Sequence, residues 1–217
     1  MASRLYRTTR PLYLQVTRVL QQLGIATIAT PTTIALLALY VTGLVLLDAR
    51  PTQTRVTRLL PGRCHDALNR LLRATPWSTR RLLGLLVGWI TRSGTVSYLC
   101  LDDVVVEKAF AKRLPWTGWT YSFAKKRKVY GMHIVVLLWC ATDGRLRVPV
   151  AFRLWRPKRS CAPAAYQTKL QLAAQMLTEL VAAGLPFAYL VADTLWVPET
   201  RSYWLSCEFA RGVTRPR

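Results

Sequence analysis

The spacing of apolar residues changes near Gly94, and this change divides the chain into two regions. Before Gly94, apolar residues recur every three or four positions. The stretch STRRLLGLLVGWI at 78–90 is an example, an amphipathic helix with Ser78 or Thr79 as its cap. After Gly94, short runs rich in β-branched and apolar residues predict strands instead. The sequence therefore predicts a helical N-terminal region at 1–94, followed by an α/β region.

The α/β region has a definite expected order. Four strands are predicted, at 96–106, 129–140, 146–155 and 187–192. The Asp-Gly turn TDGR at 142–145 joins the second and third strands as a hairpin. A helix at 164–183, ending before Gly184, leads to the fourth strand. We expect the first three strands to be antiparallel and the fourth to lie parallel to the first, in a mixed sheet.

An uncharged apolar run from Val19 to Leu47 raises the alternative of a small basic membrane protein. Pro31 interrupts the run, and the charge-free piece after it, 32–47, has 16 residues. A bilayer core needs about 20 residues in a helix. We therefore interpret this piece as a buried helix and expect no membrane association and no secretory signal.

Charge indicates the partner. The chain has 31 basic and 10 acidic residues, a formal net charge of +21, which favours a polyanion: nucleic acid first, an anionic membrane surface second. Arginine and lysine near tryptophan suit phosphate contact and base stacking, although a solvated basic loop would have the same composition. The residues expected to contact DNA are Lys125, Lys126, Arg127, Lys128, Trp116, Trp119, Arg156, Lys158 and Arg159.

The five cysteines are scattered, without a CxxC pair, and only two histidines accompany them. This pattern predicts reduced thiols and no zinc cluster. We expect a cytoplasmic, nucleoid-associated protein.

The few carboxylates deserve individual inspection because the chain is so basic. Asp102 and Asp103 lie within the first predicted strand, Asp193 at the end of the fourth, and Glu107 just after the first. Strand-borne carboxylates in a cationic protein suit Mg²⁺ or Mn²⁺, which can activate the attacking and leaving oxygens of a phosphodiester. The alternatives are an ion pair of the Asp-Asp step with Lys108, and a turn or helix cap at Asp193.

Four segments resemble the catalytic core of bacterial insertion-sequence transposases of the DDE superfamily. They are LDDVVVEK (101–108), SFAKKRKVYGMHIVVLLW (122–139), RVPVAFRLWRPK (147–158) and YLVADTLW (189–196). The resemblance covers 95–196, with a weaker match at 42–73, and it implies an RNase H-like fold. It also implies that Asp102, with Asp103 as the alternative, and Asp193 bind the catalytic metal. Val104 replaces the family's usual threonine.

In that family a third ligand, a glutamate, lies on a later helix. Only Glu199 and Glu208 follow Asp193, in a divergent tail at 197–217 that lacks the family pattern. We therefore expect an incomplete RNase H-like core and a C-terminally truncated transposase, with weak or absent cleavage by the chain alone. Intact relatives hydrolyse a phosphodiester at the transposon end, and the new 3′-hydroxyl attacks target DNA. The alternative is a non-catalytic DNA-binding remnant that interferes with an intact transposase, acting as a homodimer or in association with it.

Overall fold

A computed structural model describes residues 2–47, 52–59, 65–74, 77–111, 114 and 116–192. The helices are α1 Ala2–Gln22, α2 Pro31–Leu46, α3 Gln53–Thr57, α4 His65–Ala74, α5 Thr79–Ser93 and α6 Lys169–Ala182. The strands are β1 Ser97–Glu107, β2 Gly118–Ser122, β3 Arg127–Ala141, β4 Arg147–Trp155 and β5 Leu190–Ala192. Short 3-10 turns occur at Ile25–Thr27, Lys158–Ser160 and Pro163–Ala165. The predicted α/β class, with helices first and a mixed sheet after them, is confirmed.

The chain forms two compact units, divided between Trp89 and Ile90. The predicted boundary at 94 lies next to the end of α5, and the predicted boundary at 196 lies outside the described residues. The domain assignment stays a prediction. Helix α5 begins after Ser78, whose hydroxyl accepts the Arg81 N–H at 3.3 Å. That contact identifies Ser78 as the cap.

Helix α2 provides the core of the N-terminal unit, as predicted for its apolar sequence. The Thr30 hydroxyl accepts the Thr33 N–H at 3.2 Å and caps the helix, which begins at Pro31. Leu39 of α2 is fully buried in a cluster with residues of α3 and α4. Gly43 lets α3 approach, because a Cβ there would lie 2.6 Å from the side chain of Val56. Within the described part of the chain, no helix is long and apolar enough to cross a membrane.

The C-terminal unit is a five-stranded sheet covered on one face by α6. Strand β3 is at the centre of the sheet, and β1 pairs with it along most of its length. Strand β2 pairs with residues 127–131 of β3, and β4 pairs with residues 133–140. These pairings are antiparallel, whereas β5 pairs with β1 in parallel, as predicted. Helix α6 packs against β3 and β4.

Three features of this unit differ from the sequence prediction, and one is the fourth strand, which begins at Leu190 rather than at residue 187. Strand β2 was not predicted; it forms because residues 118–122 pair with the N-terminal half of β3. Helix α6 begins at Lys169 rather than at residue 164, because Thr168 and Gln171 form a capping box that fixes its start.

Local backbone requirements in the sheet are met by specific residues. Gly131 of β3 faces β1 so closely that a Cβ would lie 2.3 Å from the Val106 carbonyl oxygen. Gly144 has φ 71° in the turn between β3 and β4, as the Asp-Gly signature requires. The fully buried Trp139 donates its indole N–H to the Pro186 carbonyl at 2.9 Å, which anchors the connection from α6 to β5.

Candidate active site on strand β1

The two neighbouring aspartates of β1 point to opposite faces of the sheet, because side chains alternate along a strand. Asp103 shares a face with Leu99 and Leu101, which are buried on the side covered by α6. Asp102 points to the other face and is exposed. Adjacent carboxylates in sequence are therefore separated by the sheet.

The carboxylate of Asp103 is held by two cationic or polar partners. Its Oδ2 accepts hydrogen bonds from Nε2 of His133 and from Nζ of Lys169. His133 lies diagonally opposite Asp103, since Asp103 pairs with Val135 in the antiparallel register. Lys169 is the first residue of α6, and the capping box at Thr168 fixes its position.

The surroundings of Asp103, His133 and Lys169, which form the Asp103 cluster, determine which of the three side chains are charged. Burial acts to raise the pKa of Asp103, but the hydrogen bond and charge of Lys169, with a smaller contribution from His133, lower it below its usual value. Burial, and then the positive charge of Lys169, lower the pKa of His133, while Asp103 opposes that change. At neutral pH the cluster is therefore an aspartate–lysine ion pair with a neutral histidine.

Aromatic and hydroxyl groups complete the cluster. A neutral His133 that donates from Nε2 has Nδ1 free to accept the hydroxyl of Thr120, at 3.3 Å. Trp155 packs edge-on against the His133 ring with centroids 5.4 Å apart, and Nζ of Lys169 lies 5.4 Å from the Trp155 ring. The hydrogen bonds to Asp103 and Thr120 thus orient the His133 ring, and the bond to Asp103 orients the Lys169 ammonium.

Asp102 has a different environment. Its Oδ1 accepts the backbone N–H of Asp103 at 2.7 Å, and its side chain is otherwise presented on the exposed face of the sheet. An exposed carboxylate with oxygens directed to solvent is the type of ligand that Mg²⁺ and Mn²⁺ take.

The second expected ligand, Asp193, lies outside the described residues. Strand β5 ends one residue before it, and its last residue, Ala192, pairs with Leu101. The expected approach of Asp102 and Asp193 therefore stays a prediction. Among the described residues, no three histidine, cysteine, aspartate or glutamate side chains come together as a metal site.

The basic run, residues 125–128, lies on the turn between β2 and β3 and at the start of β3. Lys125 and Arg127 contact the two carboxylate oxygens of Glu107, the last residue of β1, with Arg127 at 3.3 Å. The hydrogen bond from Lys125, against an opposing effect of burial, lowers the pKa of Glu107. Lys126 adopts φ 50° in the turn, and it and Lys128 are exposed.

The other expected DNA contacts lie on the loops around β2 and after β4. Trp119 of β2 is 59 % exposed. The Arg156 guanidinium stacks on the Trp116 ring at 3.5 Å from its centroid, so these two predicted contacts lie together. Lys158 is exposed in a 3-10 turn, and the side chain of Arg159 lies outside what the structure describes. Their contact with DNA stays a prediction.

Sequence reasoning did not identify His133, Lys169 or Thr120 as members of the site. His133 was one of only two histidines in the chain, and its place in an apolar strand was a usable signal. The Thr168–Gln171 spacing, typical of a capping box, could have placed Lys169 at a helix start. Neither signal reveals that both side chains converge on Asp103.

Comparison with models of protein families gives a match over most of the chain. The model of a protein family described as DDE superfamily endonuclease matches residues 18–197. No curated protein matches the chain significantly. The matched segment runs from α1 through β5 and includes both Asp102 and Asp193. Because the match spans most of its length, the chain belongs to the DDE superfamily endonucleases.

Proposed function

We propose that this endonuclease-family chain is the DNA transposase polypeptide of an insertion sequence, with Asp102 and Asp193 as ligands of a catalytic Mg²⁺ or Mn²⁺. The observation that supports the proposal is the separation of the two neighbouring β1 aspartates, Asp102 and Asp103, by the sheet. One is exposed at the parallel junction of β1 and β5, and the other is committed to an ion pair beneath the sheet.

Asp102 suits a metal better than Asp103 does. Lys169 and His133 both direct hydrogen atoms at the same oxygen of Asp103, so a divalent cation there would meet a positive charge and two donors. Among the described residues, Asp102 receives a backbone N–H at Oδ1, which orients the carboxylate without neutralising it. The alternative assignment to Asp103 is therefore disfavoured.

The parallel pairing of β5 supports the second ligand. Leu99, Cys100 and Leu101 pair with Leu190, Val191 and Ala192. Continuation of that register by one residue would bring Asp193 opposite Asp102, on a strand about 4.8 Å away. Carboxylates at that spacing can share a divalent ion.

The chemistry then follows from what each group can do. A bound divalent metal would polarise the phosphodiester and lower the pKa of a water nucleophile. The two aspartates would hold it at the edge of the sheet, open to solvent and to a DNA strand. Exposed Lys126 and Lys128 would bind phosphates and orient the backbone, while Lys125 and Arg127 are partly neutralised by Glu107.

The partners of this activity would be transposon-end DNA and target DNA, in the cytoplasm on the nucleoid. A homodimer, or an association with an intact transposase, fits the same function. The alternative of a non-catalytic DNA-binding remnant predicts binding to transposon ends without metal-dependent cleavage, and it would lower transposition by an intact relative.

Metal binding tests the site independently of cleavage. We expect Mn²⁺, followed by electron paramagnetic resonance, to bind the wild-type chain, and Asp102→Asn or Asp193→Asn to weaken binding by at least about tenfold. Asp103→Asn is the matched control: it keeps the backbone N–H that orients Asp102, so its Mn²⁺ affinity should stay close to that of the wild type.

Two results would contradict the assignment. Unchanged Mn²⁺ affinity in Asp102→Asn would remove Asp102 from the site. Equal losses in Asp102→Asn and Asp103→Asn would show that the two faces of β1 are not distinguished by the metal. Plasmid nicking with Mn²⁺, and its loss in Asp193→Asn, would add the catalytic step.

A further inference from the structure

A cleft of about 500 Å³ lies along β2, beside the basic turn. Three of its lining residues are aromatic, Trp119 and Tyr121 of β2 and Tyr130 of β3, beside Gly118 and Thr120. Lys128 contributes a cation, and Ser160 also lines the cleft. Its volume is within the roughly 300–1,000 Å³ of small-molecule sites.

The register of the ribbon explains why these groups meet. Trp119 pairs with Tyr130 and Tyr121 with Lys128, so all four side chains project from the same face of the β2–β3 pair. The Trp119 and Tyr130 rings meet edge to face with centroids 5.7 Å apart. Trp119 is 59 % exposed and Tyr121 is 45 % exposed, so a flat ligand can reach their faces.

The spacing of the two β2 aromatics suits one inserted ring. Residues two apart on a strand are separated by about 6.8 Å. That is about twice the 3.4 Å between successive bases of a stacked strand. The backbone spacing therefore leaves room for one planar ring beside Trp119, while the Tyr121 ring packs edge to face against Phe123 with centroids 5.1 Å apart.

Charge narrows the class of ligand. Lys128 lies in the cleft, and Lys125, Lys126 and Arg127 precede it directly in a chain of net charge +21. A ligand that is both planar and anionic fits this combination, and a nucleotide has both properties. Lys125 and Arg127 are partly neutralised by Glu107, so the exposed Lys126 is the cation that extends the positive surface beyond the cleft. A second phosphate contact there favours a nucleotide within a DNA strand.

We propose that the cleft binds an unpaired base of DNA, stacked on Trp119, with the adjoining phosphates on Lys128 and the basic turn. The proposal rests on the proposed function for its DNA substrate and extends it to single-stranded or unstacked nucleotides. A base within a duplex has both faces covered by its neighbours, so only an unpaired or extruded base can present a face to the cleft.

The test compares three DNA ligands by fluorescence anisotropy at one fixed salt concentration: a single strand, a perfect duplex, and a duplex with one unpaired 2-aminopurine. Trp119→Ala should weaken binding of the single strand and the bulged duplex about 5- to 150-fold, the range expected for loss of one stacked base. Perfect-duplex affinity should change by less than about threefold, and quenching of 2-aminopurine by the wild-type chain should disappear.

Controls separate stacking from misfolding. Trp119→Phe keeps an aromatic face and should retain most of the affinity. Phe110→Ala removes a residue that is fully exposed outside the cleft, and it should leave all three affinities unchanged. Circular dichroism of each variant verifies the fold.

The proposal is overturned if Trp119→Ala binds the single strand and bulged duplex like the wild type, or loses affinity for all three ligands equally. Efficient competition by free deoxynucleotide would overturn the assignment to a DNA strand. None of these results would contradict the metal-site proposal, because a separate measurement, Mn²⁺ binding to Asp102→Asn, tests that site.

Discussion

Replacing Lys169 with methionine should destabilise the C-terminal unit by about 1–3 kcal/mol, between the values for exposed and buried ion pairs. The side chain of Lys169 is 30 % exposed and that of Asp103 is 19 % exposed, so the pair is neither fully solvated nor fully buried. Methionine keeps the apolar stem of the lysine near Trp155 and removes the charge. Of the two hydrogen bonds to Oδ2, Asp103 would then keep the one from His133.

Urea unfolding followed by tryptophan fluorescence measures the effect, since the fully buried Trp139 lies in the same sheet. A double-mutant cycle with Asp103→Asn isolates the pair, because asparagine keeps an acceptor for His133 and loses the charge. We expect a coupling energy of about 1–2 kcal/mol. Arg153→Met is the matched control: its pair with Glu179 also joins the sheet to α6, but the Glu179 side chain is 54 % exposed, and the cost should not exceed about 1 kcal/mol. A coupling energy below about 0.5 kcal/mol would refute the assigned role of Lys169.

Three further predictions concern the sheet, pH and salt. Gly131→Ala should lower the free energy of unfolding by about 1–3 kcal/mol, because its Cβ would lie 2.3 Å from the Val106 carbonyl oxygen of β1. Gly118→Ala is the control, because no neighbouring atom lies within 4 Å of its new Cβ. In the same urea assay it should change the free energy of unfolding by less than about 0.5 kcal/mol. Burial and Lys169 lower the pKa of His133 despite Asp103, so below about pH 6.5 the unfolded chain binds a proton that the folded chain does not. The melting temperature should therefore fall on acidification from pH 7 to 5.5, and His133→Gln should flatten that dependence. Duplex DNA affinity should fall about 10³- to 10⁵-fold between 50 and 200 mM salt, and a nearly constant affinity would exclude the basic surface as the binding face.

The antiparallel core of the sheet was predictable from local sequence. Predicted strands 96–106, 129–140 and 146–155 agree with β1, β3 and β4 to within two residues at each end. Their apolar runs are long, and the Asp-Gly turn specifies the hairpin between the last two. Strand β2 was missed because its five residues carry little local signal and depend on pairing with β3.

The site was only partly predictable for a related reason. Alternation along β1 places Asp102 and Asp103 on opposite faces, and that follows from sequence alone. The sequence alone does not tell which face of the sheet α6 covers. The partners of Asp103 are separated from it by 30 and 66 residues, His133 and Lys169 respectively, and no local pattern links them. The different surroundings of the two aspartates are therefore visible only in the folded structure, and the assignment of the metal ligand stays a prediction.

The parallel pairing of β5 with β1 has a consequence for how the chain is made. About 80 residues separate the end of β1 from the start of β5, whereas β3 follows β1 much sooner. At roughly 5–20 residues per second, a ribosome would leave one edge of β1 without its neighbour for about 4–16 s. An apolar strand edge left open for that time is a template on which a second nascent chain can add. Charged side chains in an edge strand discourage such pairing, so Asp102 and Asp103 would protect the growing chain from aggregation before either has its final partner.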